Sequence, residues 1–129
     1  MIKQVKKYLV HLQENICSDL ESLDGRAIFE KDRWTKGDGS GSGITSVICD
    51  GNVFEKGGVN FSIVQGNKMP KSATALRPEL EGRKYTALGI SLVIHPLNPY
   101  VPTVHFNVRF LLPKSLEKKL YGGLEEALI

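Results

Sequence analysis

Two of the chain's three histidines, His95 and His105, share a short stretch with Ser91, Asn107 and Arg109. These residue types can do chemistry together. An imidazole exchanges protons near neutral pH and can ligate a metal through its neutral ring. A planar guanidinium can hold a carboxylate through two parallel hydrogen bonds. The sequence also supplies a way to gather them. Leu88, Ile90, Leu92 and Ile94 alternate with Gly89, Ser91, Val93 and His95. Val104, Phe106, Val108, Phe110 and Leu112 alternate with Thr103, His105, Asn107 and Arg109. Successive side chains of a strand point to opposite faces, so each run sorts into an apolar side and a more polar one. Antiparallel pairing with matched faces would bring Ser91, His95, His105, Asn107 and Arg109 onto one patch. The link from Pro96 to Pro102 holds three prolines. Each fixes φ and removes a donor, which makes the link stiff and pins one histidine relative to the other.

Charge favours an anionic ligand near this hairpin. From Lys56 to Arg109 there are seven Lys or Arg and two Glu, a balance of +5 in a chain whose net charge is +3. Scattered basic residues that only solubilise a surface are the plain alternative. The chain has 129 residues, 41% of them hydrophobic and 24% charged, which suits one globular domain with a real core. No apolar run is long enough for a membrane span, and the start, Met1-Ile-Lys-Gln-Val-Lys-Lys, lacks the apolar core of a secretory signal. A cytoplasmic location follows as an expectation. Cys17 and Cys49 form no CxxC, so both are expected as reduced, buried thiols.

Other elements must carry the hairpin. Ile2, Val5, Leu9, Leu12, Ile16, Leu20 and Leu23 recur at steps of three and four. They predict an amphipathic helix over 2–23, stopped at Asp24-Gly25 and docked on a sheet; His11 falls at its solvent edge. Residues 27–36 predict a strand in which Trp34 packs. The glycine-rich run 37–43 lacks the Gly-Lys-Ser/Thr ending of a phosphate-binding loop and predicts a flexible connection, with closure over a ligand as a further hypothesis. Residues 44–55 predict a hairpin turning at Asp50-Gly51. Gly57-Gly58 is expected to interrupt it before a short strand over 59–65. Residues 66–87 predict a loop with one short helical turn.

Three stretches carry a family resemblance. They are Asn52-Val-Phe-Glu-Lys-Gly-Gly-Val-Asn-Phe-Ser62, Met69-Pro-Lys-Ser-Ala-Thr74 with Arg77-Pro-Glu-Leu80, and His95-Pro-Leu-Asn-Pro-Tyr-Val-Pro-Thr-Val-His-Phe-Asn-Val-Arg109. They resemble the N-terminal half of oxygen-dependent coproporphyrinogen III oxidase. The resemblance spans roughly residues 5–112, which divides the chain into an N-terminal part of such a domain, 1–112, and a divergent tail, 113–129. It implies an α+β fold, an antiparallel sheet flanked by helices, and a homodimer. It implies oxidative decarboxylation of two propionates of coproporphyrinogen III to vinyl groups, giving protoporphyrinogen IX in haem biosynthesis. No organic cofactor is implied; dioxygen is the co-substrate, and a divalent metal cation is a candidate ligand of His95 and His105. By the same resemblance His105 is the proton donor, and Ser91, Asn107, Val108 and Arg109 bind substrate. Neither nucleic acid nor a membrane enters as partner.

Family members are longer, and their second half supplies further histidines, an acidic residue near the substrate and the dimer surface. A truncated form of the fold is therefore expected, with an unpaired sheet edge after its last strand. A non-catalytic remnant, or a tetrapyrrole-binding piece that needs a separate C-terminal half, is the second reading. A structural protein with hydrogen-bonded histidines and a surface-paired Arg109 is the third.

Overall fold

The computed structural model describes residues 1–75, 77–113 and 127–128. The apolar periodicity becomes helix α1, Ile2–Asp24, closed by Gly25 at φ 79°, whose N–H donates to Glu21 O. The buried line of the helix is Leu9, Gln13 and Cys17, which step by four along one face. Val5, Leu12, Ile16 and Leu20 flank it against the core. The ends of the expected stripe, Ile2 and Leu23, are exposed instead. A buried glutamine sits in mid-stripe because the sheet supplies its partners. Gln13 Nε2 donates to Ile44 O at 2.8 Å and to Val59 O at 2.9 Å.

The strands are β1 (Glu30–Thr35), β2 (Gly41–Cys49), β3 (Phe54–Gly66), β4 (Tyr85–Pro96), β5 (Val104–Pro113) and β6 (Ala127–Leu128). They form one antiparallel sheet in sequence order. With α1 packed on one side against β3 and β4, the architecture is the expected α+β. The core lies between them: Leu9 and Cys17 meet Ile44, Ile48, Val59, Phe61, Leu88, Ile90, Leu92 and Ile94. The other side of the sheet carries no long helix among the described residues; the connection before β4 reaches it through Pro70 and Ser72. A short helix, α2 (Lys71–Thr74), and a 3-10 turn at Pro78–Leu80 occupy the connection before β4, as the short helical turn required.

Four expectations give way. The glycine run 37–43 is no free loop, because Gly41–Gly43 belongs to β2. A Cβ on Gly43 would lie 2.4 Å from the Trp34 ring, so this glycine makes room for the indole. Gly57 and Gly58 do not interrupt β3, which is bonded on both sides, and the side chains of Ile48 and Ile94 fill the space beside Gly57. The outer edge of β5 is paired with β6 at Arg109 and Phe110. Residues 114–126, most of the expected tail, lie outside the described residues. Cys17 is buried, and burial raises its thiol pKa; Cys49 is exposed rather than buried, and both thiols are free.

Asp24, read only as part of a stop signal, is a buried clamp between α1 and the β2–β3 turn. Its carboxylate accepts from the backbone N–H groups of Ala27, Asn52, Val53 and Phe54 at 2.9–3.0 Å. Those donors, Ala27 first and Phe54 next, hold the carboxyl far below the ordinary value of 3.8. The turn itself, with Asp50 at φ 55°, is where Asp50-Gly51 predicts it.

Two outcomes follow. Leu9→Ala removes a fully buried side chain from the helix–sheet contact and is expected to cost about 2–5 kcal/mol in urea unfolding. The unfolded chain protonates Asp24 before the folded one does, so the stability that Asp24 contributes is present above the ordinary value of 3.8 and is lost as pH falls below it. Asp24→Asn should melt several degrees lower at neutral pH and show a flatter acid limb in a melting-temperature profile.

Candidate functional site

The face of the sheet away from α1 is organised by register. Gly89 stands opposite Arg109, Ser91 opposite Asn107 and Val93 opposite His105. Asn60 stands on the other side of Ser91, and Thr45 on the other side of Asn60. Ser91, His95, His105, Asn107 and Arg109 therefore share one face, the patch that alternation predicts. Val108 faces away. It pairs with Ile90 of the core face, so only its main chain is available to this patch.

A cavity of about 360 Å³ opens on this face, bounded by Asn107 and Arg109 and by Ser62, Ser72 and Tyr85. Gly89 forms part of its floor, where a Cβ would come within 2.6 Å of Val108 O. The missing side chain keeps the space beside Arg109 open. Ser91, His95 and His105 lie farther along the same face, outside that lining. Arg109 is exposed and has no carboxylate partner among the described residues. Ser91 and Asn107 are half-buried, and their side chains also lack hydrogen-bond partners there. Half-buried polar groups left unpaired are ready to bind a ligand without first breaking a bond.

The two histidines are held by the link between β4 and β5. Prolines stiffen it, and Asn98 shapes it: Tyr100 N donates to Asn98 Oδ1 at 2.9 Å and Val101 N to Asn98 O at 3.1 Å. Leu97 N donates to Val53 O and ties the link to the β2–β3 turn. His95 and His105 are exposed, with His95 Nδ1 3.4 Å from Thr103 Oγ1. Among the described residues no cluster of three His, Cys, Asp or Glu side chains could hold a metal ion. Two exposed imidazoles are half of a usual coordination set, so these residues do not by themselves fit a metal centre.

Sequence reasoning missed the polar row beside the patch. Trp34 Nε1 donates to Thr45 Oγ1 at 3.1 Å, and Thr45 Oγ1 donates to Asn60 Oδ1 at 2.7 Å. Each residue comes from a different strand, so no spacing within one segment reveals the row. It also missed Ser72 and Tyr85. The excess of basic residues over 56–109 points to an anionic ligand but singles out none of these residues.

A glycine within a strand ordinarily gains about 0.5–1 kcal/mol on replacement by alanine. Gly89→Ala should do the opposite and lose about 1–3 kcal/mol, because its methyl meets main chain. Urea unfolding reads the sign, and a stabilised variant would contradict the close contact.

A model of the coproporphyrinogen III oxidase family matches residues 4–126.

Proposed function

The chain belongs to the coproporphyrinogen III oxidase family, and on that premise we propose that its sheet face away from α1 binds coproporphyrinogen III for oxygen-dependent decarboxylation. Membership ties the chain to a family of oxidoreductases of porphyrin biosynthesis. The observation that carries the finer reading is the convergence of Ser91, Asn107 and an unpaired Arg109 in register beside one cavity. The substrate carries four carboxylates, and Arg109 is the residue for one of them. Asn107 and Ser91 supply further hydrogen bonds, and Val108 contributes through its main chain.

Each propionate reacts with one dioxygen and one proton to give a vinyl group, carbon dioxide and hydrogen peroxide. The C–COO⁻ bond breaks, the carbon next to the ring loses a hydride equivalent, and dioxygen takes up the two electrons. His105 supplies the proton this balance requires. It stands two residues before Asn107 on β5, on the same face, and an imidazole ring can both give and take a proton. His95 orders the end of the patch through Thr103. A divalent cation at His95 and His105 would need ligands beyond the described residues, and no step is assigned to it. A homodimer and a cytoplasmic site of action belong to this same reading. No helix among the described residues is long and apolar enough to cross a membrane.

The second reading, binding without turnover, draws on the incomplete histidine pair. Oxygen uptake and vinyl-porphyrin formation, measured with purified chain and anaerobically prepared coproporphyrinogen III, separate the two. The enzyme reading expects uptake. His105→Ala is then expected to lower kcat by about 10²–10⁴-fold. Arg109→Ala should weaken substrate binding about tenfold or more, the loss of a charge-assisted hydrogen bond. Binding with no uptake favours the second reading. Near-normal turnover in both variants overturns the assigned roles.

A further inference from the structure

The row Trp34–Thr45–Asn60 has a direction. An indole N–H only donates, so Thr45 Oγ1 must accept from Trp34. The threonine hydroxyl hydrogen is then free to go only onward, to Asn60 Oδ1 at 2.7 Å. The Asn60 amide thus turns its oxygen to Thr45 and takes up the hydroxyl's one hydrogen. The amide nitrogen Nδ2 is left facing away from Thr45, and on the β4 side of Asn60 stands Ser91, in register with it. Asn60 is half-buried, and its Nδ2 has no partner among the described residues. Trp34 is itself held in place, since its ring lies over Gly43 with no room for a side chain there.

We propose that Asn60 is a further substrate-binding residue of this face, presenting its NH₂ as a fixed donor to a substrate carboxylate, with Thr45 and Trp34 as its positioning residues. The proposal rests on the tetrapyrrole reading and sharpens it. A pyrrole N–H is a donor and gains nothing from a second donor. A propionate carboxylate accepts, and it finds Asn60, Ser91, Asn107 and Arg109 on adjacent strands of one face. The Asn60 oxygen already accepts from Thr45, and a flip to suit a donor would take that acceptor away from the hydroxyl hydrogen. The row thereby selects for carboxylate and against the ring nitrogens at this place.

Coproporphyrin III, the stable oxidised tetracarboxylate, serves as probe, with binding to the whole chain followed by fluorescence. Asn60→Ala is expected to raise Kd about tenfold. Thr45→Val, which removes the orienting hydroxyl, should weaken binding severalfold, and Thr45→Ser should restore it. In ¹⁵N-labelled protein the Asn60 side-chain NH₂ pair, identified by its absence from Asn60→Asp, should shift on titration with the porphyrin. That readout does not depend on how well the alanine variant folds. Tight binding by Asn60→Ala beside weak binding by Arg109→Ala would overturn the proposal and leave the tetrapyrrole reading standing. An unmoved NH₂ pair in a chain that binds the porphyrin would also overturn it, by making Asn60 a structural residue. A wild-type chain that does not bind the porphyrin would overturn both.

Discussion

The register of β3, β4 and β5 is the constraint on which everything else in this molecule depends. Side chains alternate with a period of two, so a slip of one residue would exchange the two faces of a strand. With Asn60, Ser91 and Asn107 in line, Leu88, Ile90, Leu92 and Ile94 point to α1 while the polar groups point the other way. The hydrophobic core therefore enforces the geometry of the site. Burying the apolar set against α1 leaves Asn107 and Arg109 no face but the open one.

The helix is tied to that register by polar contacts as well as by apolar burial. Gln13 bonds carbonyls of both β2 and β3. Asp24 gathers the N–H groups at the β2–β3 turn and those just after the helix. Each is buried, and each would be costly without its partners. They favour one placement of helix on sheet where apolar contacts alone would tolerate several. The β4–β5 link then joins the same turn through Leu97 and Val53, so the histidine end of the patch is braced by the hairpin that Asp24 holds.

Much of this was legible in the sequence because it is local. Alternation from Leu88 to Ile94 and from Val104 to Leu112 reports the two faces directly, and Asp50-Gly51 reports its turn. The site residues Ser91, His95, His105, Asn107 and Arg109 could be grouped on that basis. What escaped was nonlocal. Gln13 and Asp24 look like solvent residues until strands far along the chain supply their partners. The Trp34–Thr45–Asn60 row needs three strands in register before it exists. Gly57-Gly58 reads as a break, yet ladder bonds on both sides and the side chains of Ile48 and Ile94 hold it as strand. Propensity lost there to tertiary packing.

Chemically, the two faces divide the work. One buries hydrocarbon and fixes distances; the other holds donors, a guanidinium and imidazole, the groups that the proposed acidic tetrapyrrole would need. The central claim is that the sheet face away from α1, and no other surface, receives the substrate carboxylates. A crystal structure of the chain with coproporphyrin III tests it most directly. The account predicts a propionate within hydrogen-bond distance of Arg109 and Asn107, with the macrocycle lying along β4 and β5. A porphyrin bound on the α1 side, or on the open face with its carboxylates turned away from Arg109, would contradict it.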